Sequence, residues 1–151
     1  MGASLFLFAA SFAAMEAVAA LVHRFVMHGF GWRWHRSHHA ARTGVFEAND
    51  LYALLFAALA LVLFAIGARG HPWLWWIAAG MTAYGLVYAL VHDGIVHRRL
   101  PGMPRPRRGY LKRLVQAHRL HHAVEQRDGC VSFGFLYAPP ARRLRARLRA
   151  R

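Results

Sequence analysis

Ten of the eleven histidines in this chain lie in four short motifs, and only two spacings occur among them. HRFVMH, from His23, and HDGIVH, from His92, have the form H-x4-H; HRSHH, from His35, and HRLHH, from His118, have the form H-x2-H-H. Imidazole is the commonest metal-binding side chain, and isolated structural histidines would not repeat two spacings. The sequence therefore predicts a metal site. The predicted ligands are His23, His28, His35, His38, His39, His92, His97, His118, His121 and His122.

The spacing within each motif indicates how these ligands share metals. A helix is predicted over 110–126, and on it His118, His121 and His122 share one face, because positions i, i+3 and i+4 are neighbours. Positions i and i+5 of an α-helix point about 140° apart, which suits a single metal poorly. Each H-x4-H pair is therefore either divided between two metals or brought together by a bend, at Gly29 and at Gly94. Ten imidazoles exceed what one metal takes, and two metals with four or five each would use them all.

The remaining polar residues narrow the chemistry. Cys130 is the only cysteine, so neither an intrachain disulfide nor a cysteine-based metal site is expected, and Cys130 is interpreted as a reduced structural residue. Imidazole-rich ligation suits iron, zinc, copper or nickel. Glu47, Asp50 and Asp93 lie near the motifs and are predicted to accept hydrogen bonds from the ligands' second ring nitrogen, or to cap helices. His71 lies apart from every motif and is predicted to be a surface residue.

Composition points to a membrane protein. Hydrophobic residues make up 57% of the 151 residues, yet the formal net charge is +14. Residues 4–22, 51–68 and 73–91 are apolar runs that contain no charge except Glu16, and about 20 helical residues cross a bilayer core. The predicted fold is an all-α integral membrane bundle of three transmembrane helices. A bundle of four transmembrane helices is the alternative. The predicted fold forms a single domain with a histidine-rich cap over 23–50 and 92–140 and a basic tail over 141–151, at a membrane surface or in solvent.

The basic residues predict the orientation in the membrane. All of the 20 lysines and arginines except Arg69 lie on the side of the histidine motifs. The positive-inside rule places that side in the cytoplasm and the N-terminus outside. A cleaved signal peptide is disfavoured, because no basic residue precedes Arg24. Anionic lipid head groups are the simpler partner for this charge, and no nucleic-acid partner is expected.

The motifs and the segments between them resemble a known family. MHGFGWRWHRSHH, FEANDLYALLFA, GYLKRLVQAHRLHHAV and GCVSFGFLYAPP are similar to the short bacterial β-carotene hydroxylases of the fatty-acid hydroxylase superfamily, the histidine-box membrane di-iron enzymes. The resemblance covers roughly 23–140. Few residues precede the first span. Both a fourth membrane crossing and residues missing from the N-terminus therefore stay open as alternatives.

The resemblance implies a non-haem di-iron monooxygenase of the bacterial inner membrane. Ten histidines would bind two irons, with zinc as a substitute in crystals, and no catalytic residue is implied beyond the ligands. With O2 and a reduced ferredoxin-type donor, the enzyme would hydroxylate carbon 3 of carotenoid β-ionone rings. β-Carotene would pass through β-cryptoxanthin to zeaxanthin, and ketocarotenoids are further candidate substrates.

Two other functions stay open on the sequence. A fatty-acyl or sterol hydroxylase or desaturase would use the same metal chemistry on another substrate. A non-catalytic metal-binding, haem-binding or transport protein is the alternative of a different class. Transport favours polar ligands midway through the spans, and the spans carry only Glu16, Thr82 and similar groups there. Haem would need only one or two axial histidines.

A carotenoid would have to enter from the bilayer, since burial of apolar surface favours a slot open to lipid. The predicted slot lies where the second and third spans meet the cap, with room left by Ala57, Gly80, Gly85 and Ala89. Its predicted lining residues are Leu55, Phe56, Met81, Tyr84, Gly85, Leu86 and Tyr88. A basic rim beside the cap would attract an acidic electron carrier, with membrane anchoring as the alternative explanation. The rim comprises Arg98, Arg99, Arg105, Arg107, Arg108 and Lys112.

Overall fold

The computed structural model describes residues 1–41 and 44–150, and all regular structure in those residues is helical. The described residues contain six α-helices, α1 to α6, and two π-helices, π1 and π2. In chain order they are α1 (Gly2–Leu21), π1 (Val22–Phe30), α2 (Trp32–His39), α3 (Asp50–Gly67), α4 (Pro72–Tyr88), π2 (Ala89–Val96), α5 (Gly109–His121) and α6 (Ala141–Arg149). The predicted all-α fold is confirmed.

Three helices are long and apolar enough to cross a membrane: Gly2–Phe30, Asp50–Gly67 and Pro72–Val96. Among the described residues no other helix qualifies, which agrees with three crossings. The first has 29 residues, which at 1.5 Å per residue is about 43 Å, against about 30 Å for a bilayer core. Its π1 end, and likewise π2 after α4, therefore extends the span into the histidine-rich cap.

Helix α4 is the centre of the bundle, because both α1 and α3 pack against it. Gly80 makes the contact with α1 close: a Cβ atom there would clash with the Phe8 carbonyl oxygen and with the Ser11 hydroxyl oxygen. Gly80 was predicted to leave room in the substrate slot. The structure corrects this, because the space beside Gly80 is filled by α1.

The cap has a small apolar core of its own, formed by α5, α6 and the segment that precedes α6. Its buried residues are Leu114, Ala117, Val131, Ala138 and Leu144. Leu144 is fully buried, and Leu148, one helical turn later, packs on the same cluster. The basic C-terminal segment is therefore not a solvated tail: its leucines hold α6 against the cap while most of its arginines remain exposed.

Helix α5 ends at His121, five residues before the end of the predicted helix. Beyond it, the Val124 carbonyl accepts a hydrogen bond from His39 Nδ1 at 3.0 Å. The Cys130 thiol contacts the carbonyl oxygens of Val124 and Gln126, each at 3.6 Å. The carbonyls of Val124 and Gln126 thus bond to side chains of the cap and not to amides one helical turn later. Contacts within the cap therefore determine where α5 ends.

His71 lies in the turn between α3 and α4 and is exposed, as predicted for a surface residue. We expect His71→Ala to match the wild type in metal content and in product yield, because its ring contacts none of the other histidines in the described structure. Metal analysis and chromatography of pigments from cells expressing the variant measure both. An inactive variant would show that the turn lies on the same side as the metal site.

Candidate metal centre

All four histidine motifs converge in the cap. Eight of their ten histidines are buried, and His97 and His122 are half-buried. The Nε2 atoms of His28 and His121 are 3.2 Å apart, although 93 residues separate them in the chain. The Nε2 atoms of His23 and His35 are 3.1 Å apart, and those of His97 and His118 are 2.7 Å apart.

The tautomers show that the contact between His28 and His121 is not an ordinary hydrogen bond. His28 Nδ1 lies 2.7 Å from the Arg127 carbonyl oxygen, and His121 Nδ1 lies 2.9 Å from the Val131 carbonyl oxygen. A ring nitrogen that faces a carbonyl carries the proton, so in the neutral rings both Nε2 atoms present lone pairs. Two lone pairs that face each other at 3.2 Å require a cation beside them. Ligands at about 2.1 Å from one metal lie about 3 Å apart.

The ligand atoms divide into two sets. Ligand atoms of His23, His28, His35 and His121 lie within 4.8 Å of one another, as do those of His38, His97, His118 and His122. The His39 ring adjoins His28 and His35, with centroids 5.1 and 4.9 Å away. The His92 ring adjoins His97 and His118, at 4.5 and 4.7 Å. We therefore define a first metal group (His23, His28, His35, His39 and His121) and a second metal group (His38, His92, His97, His118 and His122).

The π-helices explain the H-x4-H spacing. A π-helix has i→i+5 hydrogen bonds and about 4.4 residues per turn, so residues five apart point only about 50° apart. The i→i+5 bonds are present: Gly31 N–H donates to the Val26 carbonyl at 2.9 Å, and His97 N–H donates to the His92 carbonyl at 2.8 Å. At Gly29 the backbone also leaves helical geometry, with φ −108° and ψ −126°. Each pair therefore serves a single metal group, which resolves the question left open by the α-helical spacing.

Each H-x2-H-H motif contributes to both metal groups. On α2, His35 and His39 join the first group and His38 joins the second. On α5, His118 and His122 join the second group and His121 joins the first. The i and i+4 residues thus share a group, and the middle histidine reaches the other one. The two motifs therefore link the two groups.

A surrounding layer of acceptors orients the imidazoles. His38 Nδ1 lies 3.2 Å from Glu47 Oε2, and His92 Nδ1 lies 2.9 Å from Asp93 Oδ1, so the structure places both predicted acceptors beside ligands. Backbone carbonyls bond Nδ1 of four more rings, those of His23, His28, His39 and His121. An acceptor at Nδ1 leaves Nε2 for the metal.

Asp50 was predicted either to contact an imidazole or to cap a helix, and it does not contact an imidazole. Its carboxylate accepts two hydrogen bonds from Arg99, each of 2.7 Å, and one of 3.0 Å from Glu47 N–H. The neighbouring Asn49 takes the predicted role instead, with Oδ1 2.7 Å from His35 Nδ1. No pattern in the sequence indicated this role for Asn49. Its side chain makes no cap bond because it is used by the histidine.

Four buried Nε2 atoms have no hydrogen-bond partner among the described residues: those of His38, His39, His92 and His122. Burial lowers the pKa of His39 to about 4 and also lowers the pKa of His118, His121 and His122, so these rings are neutral at physiological pH. A neutral ring with a bare Nε2 is the form that binds a metal. These residues fit two resident metal ions.

Cys130 lies closer to the centre than predicted. Its buried Sγ lies within 4.8 Å of ligand atoms of His28, His39 and His121. The absence of a second cysteine still rules out a cysteine-rich site. However, the thiol belongs to the immediate surroundings of the first metal group, which the sequence did not indicate.

Removal of the acceptor at His38 should weaken the second metal group. We expect Glu47→Ala to lower metal affinity or turnover by about 10- to 100-fold, because His38 loses the partner that fixes its orientation. Metal content by elemental analysis, with product yield, measures the effect. Glu125→Ala, an exposed acidic residue in the same cap, is the control. Equal metal content and activity in the two variants would contradict the assigned role of Glu47.

A cavity of about 460 Å³ opens among the three spans beside the metal groups. It is mainly apolar, but Asn49 and Asp93 also line it, and these bond to His35 and His92 respectively. Asn49 thus links the cavity wall to the first metal group, and Asp93 links it to the second. The cavity therefore connects the membrane bundle with the metal centre.

The predicted slot largely coincides with this cavity. The predicted residues that line it are Phe56, Met81, Tyr84, Gly85, Leu86 and Tyr88, with Ala57 and Ala89. Leu55 does not line it and is 57% exposed, because the lining face of α3 is formed by Ala53, Phe56, Ala57 and Ala60 at helical spacing.

These features define a helical membrane protein with buried, convergent histidines that fit metal ions. The model of the fatty acid hydroxylase family matches residues 8–138, and the chain belongs to that family of oxidoreductases. The likeness extends to individual relatives. A beta-carotene hydroxylase of Pantoea ananas is 61% identical over 137 residues, which cover 91% of this chain and 78% of that protein.

Two further relatives carry similar names. A beta-carotene hydroxylase of Paracoccus sp. (strain PC1) is 59% identical over 136 residues, which cover 89% of this chain and 84% of that protein. A chloroplastic beta-carotene 3-hydroxylase of Haematococcus lacustris is 42% identical over 119 residues, 72% of this chain and 36% of that protein. No solved structure matches this chain.

Proposed function

We propose that this chain hydroxylates carbon 3 of carotenoid β-ionone rings and converts β-carotene through β-cryptoxanthin to zeaxanthin, with ketocarotenoids as further substrates. The observation that carries the metal chemistry is the pair of opposed lone pairs on His28 and His121 within two sets of convergent imidazoles. The names of relatives about 60% identical supply the substrate class. The apolar cavity beside the site suits such a substrate.

The first and second metal groups would each hold one iron. Two irons with O2 supply an oxidant strong enough for an unactivated C–H bond, which acid–base side chains cannot provide. In the overall reaction one oxygen atom of O2 enters the C–H bond, and the other leaves as water with two protons and two electrons. Zinc fits the same nitrogen ligands but has no redox role, so a zinc-bound form would be inactive.

The chain's own residues hold the ring and exclude water. The cavity walls from α3 and α4 are mainly apolar. The polar side chains of Asp50, Thr82 and Tyr84 that also line them are already hydrogen-bonded within the protein, so a polyene can be accommodated without loss of hydrogen bonds. Asn49 and Asp93 line the cavity while their side chains are committed to histidines. They fix the orientation of imidazoles and leave the reacting ring in a mainly apolar environment.

The electrons would come from a reduced ferredoxin-type protein on the cytoplasmic side of a bacterial inner membrane. The support for that orientation is charge: Arg69 is the only lysine or arginine on the other side of the spans. Arg98, Arg105, Arg107 and Arg108 form an arginine-rich approach to the cap. Such a surface attracts an acidic carrier, and it also favours anionic lipids.

Expression in a host that makes β-carotene tests the substrate. We expect zeaxanthin and some β-cryptoxanthin on chromatography, and two irons per chain in the purified protein. Unchanged β-carotene together with hydroxylated fatty acids or sterols would favour the lipid hydroxylase alternative. Bound metal without any hydroxylated product would favour a non-catalytic role.

A further inference from the structure

Glu16 is the only acidic or basic side chain that precedes His23, and it lies in the middle of the first membrane span. An ionisable group at such a position is costly and needs partners. Its Oε1 accepts the backbone N–H of Phe135 and of Tyr137, each at 2.9 Å. Its Oε2 accepts the Leu136 N–H at 2.9 Å and the Tyr84 hydroxyl at 2.7 Å. A carboxylate has about four acceptor sites, and all are used.

The segment 133–137 closes tightly around this carboxylate. A Cβ atom at Gly134 would lie 2.6 Å from Glu16 Oε1 and 2.9 Å from the Tyr137 carbonyl oxygen, so only glycine fits without displacement. Three successive N–H groups aimed at one side chain form an anion-binding turn. Glu16 therefore ties a cap segment to the membrane bundle.

The same segment contacts both metal groups and the cavity. The Phe133 carbonyl lies 2.9 Å from His23 Nδ1. The Phe135 ring stacks on His23, with centroids 5.4 Å apart and an interplanar angle of 10°, and it meets the edge of His92 at 5.2 Å. Phe135 also lines the substrate cavity. Its position therefore affects where a ring can lie relative to both metals.

We propose that Glu16, with Tyr84, is a positioning residue that holds Phe135 in the cavity wall beside the two metal groups, where it orients the carotenoid ring. The inference rests on the proposed function for its catalytic consequence, but the hydrogen-bonded segment is independent of substrate. The Glu16→Gln change replaces one acceptor oxygen by an NH2 group, which faces N–H donors and cannot bond to them. The segment should then separate from α1 while the metal ligands remain.

Hydrogen exchange of the protein in membranes tests the structural step. In the wild type, the amides of residues 135–137 should be protected, and in Glu16→Gln they should exchange at least about tenfold faster. The amides of α1 and α4 should be unchanged. Ser11→Ala is the matched control, because within the described structure the Ser11 hydroxyl bonds only to the Phe8 carbonyl of its own helix. Unchanged exchange at 135–137, or equally faster exchange throughout the spans, would overturn the proposal.

The functional step is tested by the coupling of O2 consumption to hydroxylation, measured as hydroxylated product per O2 consumed. We expect Glu16→Gln to retain iron but to form at least about tenfold less hydroxylated product per O2 consumed, because the ring is no longer held in place. Tyr84→Phe removes one of four hydrogen bonds and should show a smaller loss of the same kind, even if Glu16→Gln does not fold. A fall in activity that follows iron loss, with coupling unchanged, would overturn the positioning role. A wild-type protein that leaves β-carotene unchanged would instead refute the proposed function.

Discussion

The His97→Ala and His122→Ala variants are expected to lose carotenoid hydroxylation, with turnover at least about a hundredfold lower than the wild type. Both residues belong to the second metal group, whose ligand atoms lie within 4.8 Å of one another. Removal of one imidazole opens that group and leaves other buried imidazoles without their shared cation. Neither residue lies within an apolar span, so insertion into the membrane should be unaffected.

The measurement is pigment chromatography together with the amount of protein in the membrane fraction. His71→Ala is the matched control, since it removes an imidazole that lies outside both metal groups. Full activity in His97→Ala or His122→Ala would remove that residue from the ligand set. Loss of the protein from the membrane would show that the histidine supports folding rather than chemistry alone.

Gly85→Leu is expected to lower β-carotene turnover by roughly tenfold or more without loss of iron. Gly85 lines the cavity, and a Cβ atom there would meet no other atom within 4 Å, so a leucine side chain can extend into open space. It would fill room that a rigid polyene needs, at a distance from the ligands. The effect should therefore appear in turnover and KM, while elemental analysis shows normal metal.

Leu54→Phe is the control for Gly85→Leu, because Leu54 lies on α3 at 63% exposure and does not line the cavity. It adds bulk to the outer face of the bundle only. If Gly85→Leu retains iron and wild-type turnover, the substrate enters by another route. Equal losses in both variants would indicate general damage to the bundle.

The histidines that converge in the cap and the apolar spans could be predicted because they depend on local pattern. Repeated histidine spacing is visible without any tertiary information, and so is an uncharged stretch long enough for a bilayer. The partition of the ligands could not be predicted. It depends on π-helical geometry at 22–30 and 89–96, and an α-helical period places His23 and His28 on different faces.

The residues around the ligands were only partly predictable, because their roles depend on which groups meet in space. The roles of Glu47 and Asp93 as hydrogen-bond acceptors could be predicted, because each is an acidic residue close to a histidine motif. Asn49 and Asp50 are adjacent in sequence, and no pattern shows which one faces a histidine. Glu16 is more than 100 residues from the amides that it binds. Its charge within an apolar span was a signal, but the partner became visible only in the fold.

The most direct test of the proposed reaction is the mass of the product formed from β-carotene by the iron-loaded protein, with an electron donor, under ¹⁸O2. The expected zeaxanthin carries one ¹⁸O atom on each ring, at carbon 3, because both oxygens come from O2. A product without label, label at another ring position, or no hydroxylated carotenoid from a protein that holds two irons would contradict carotenoid hydroxylation at this centre.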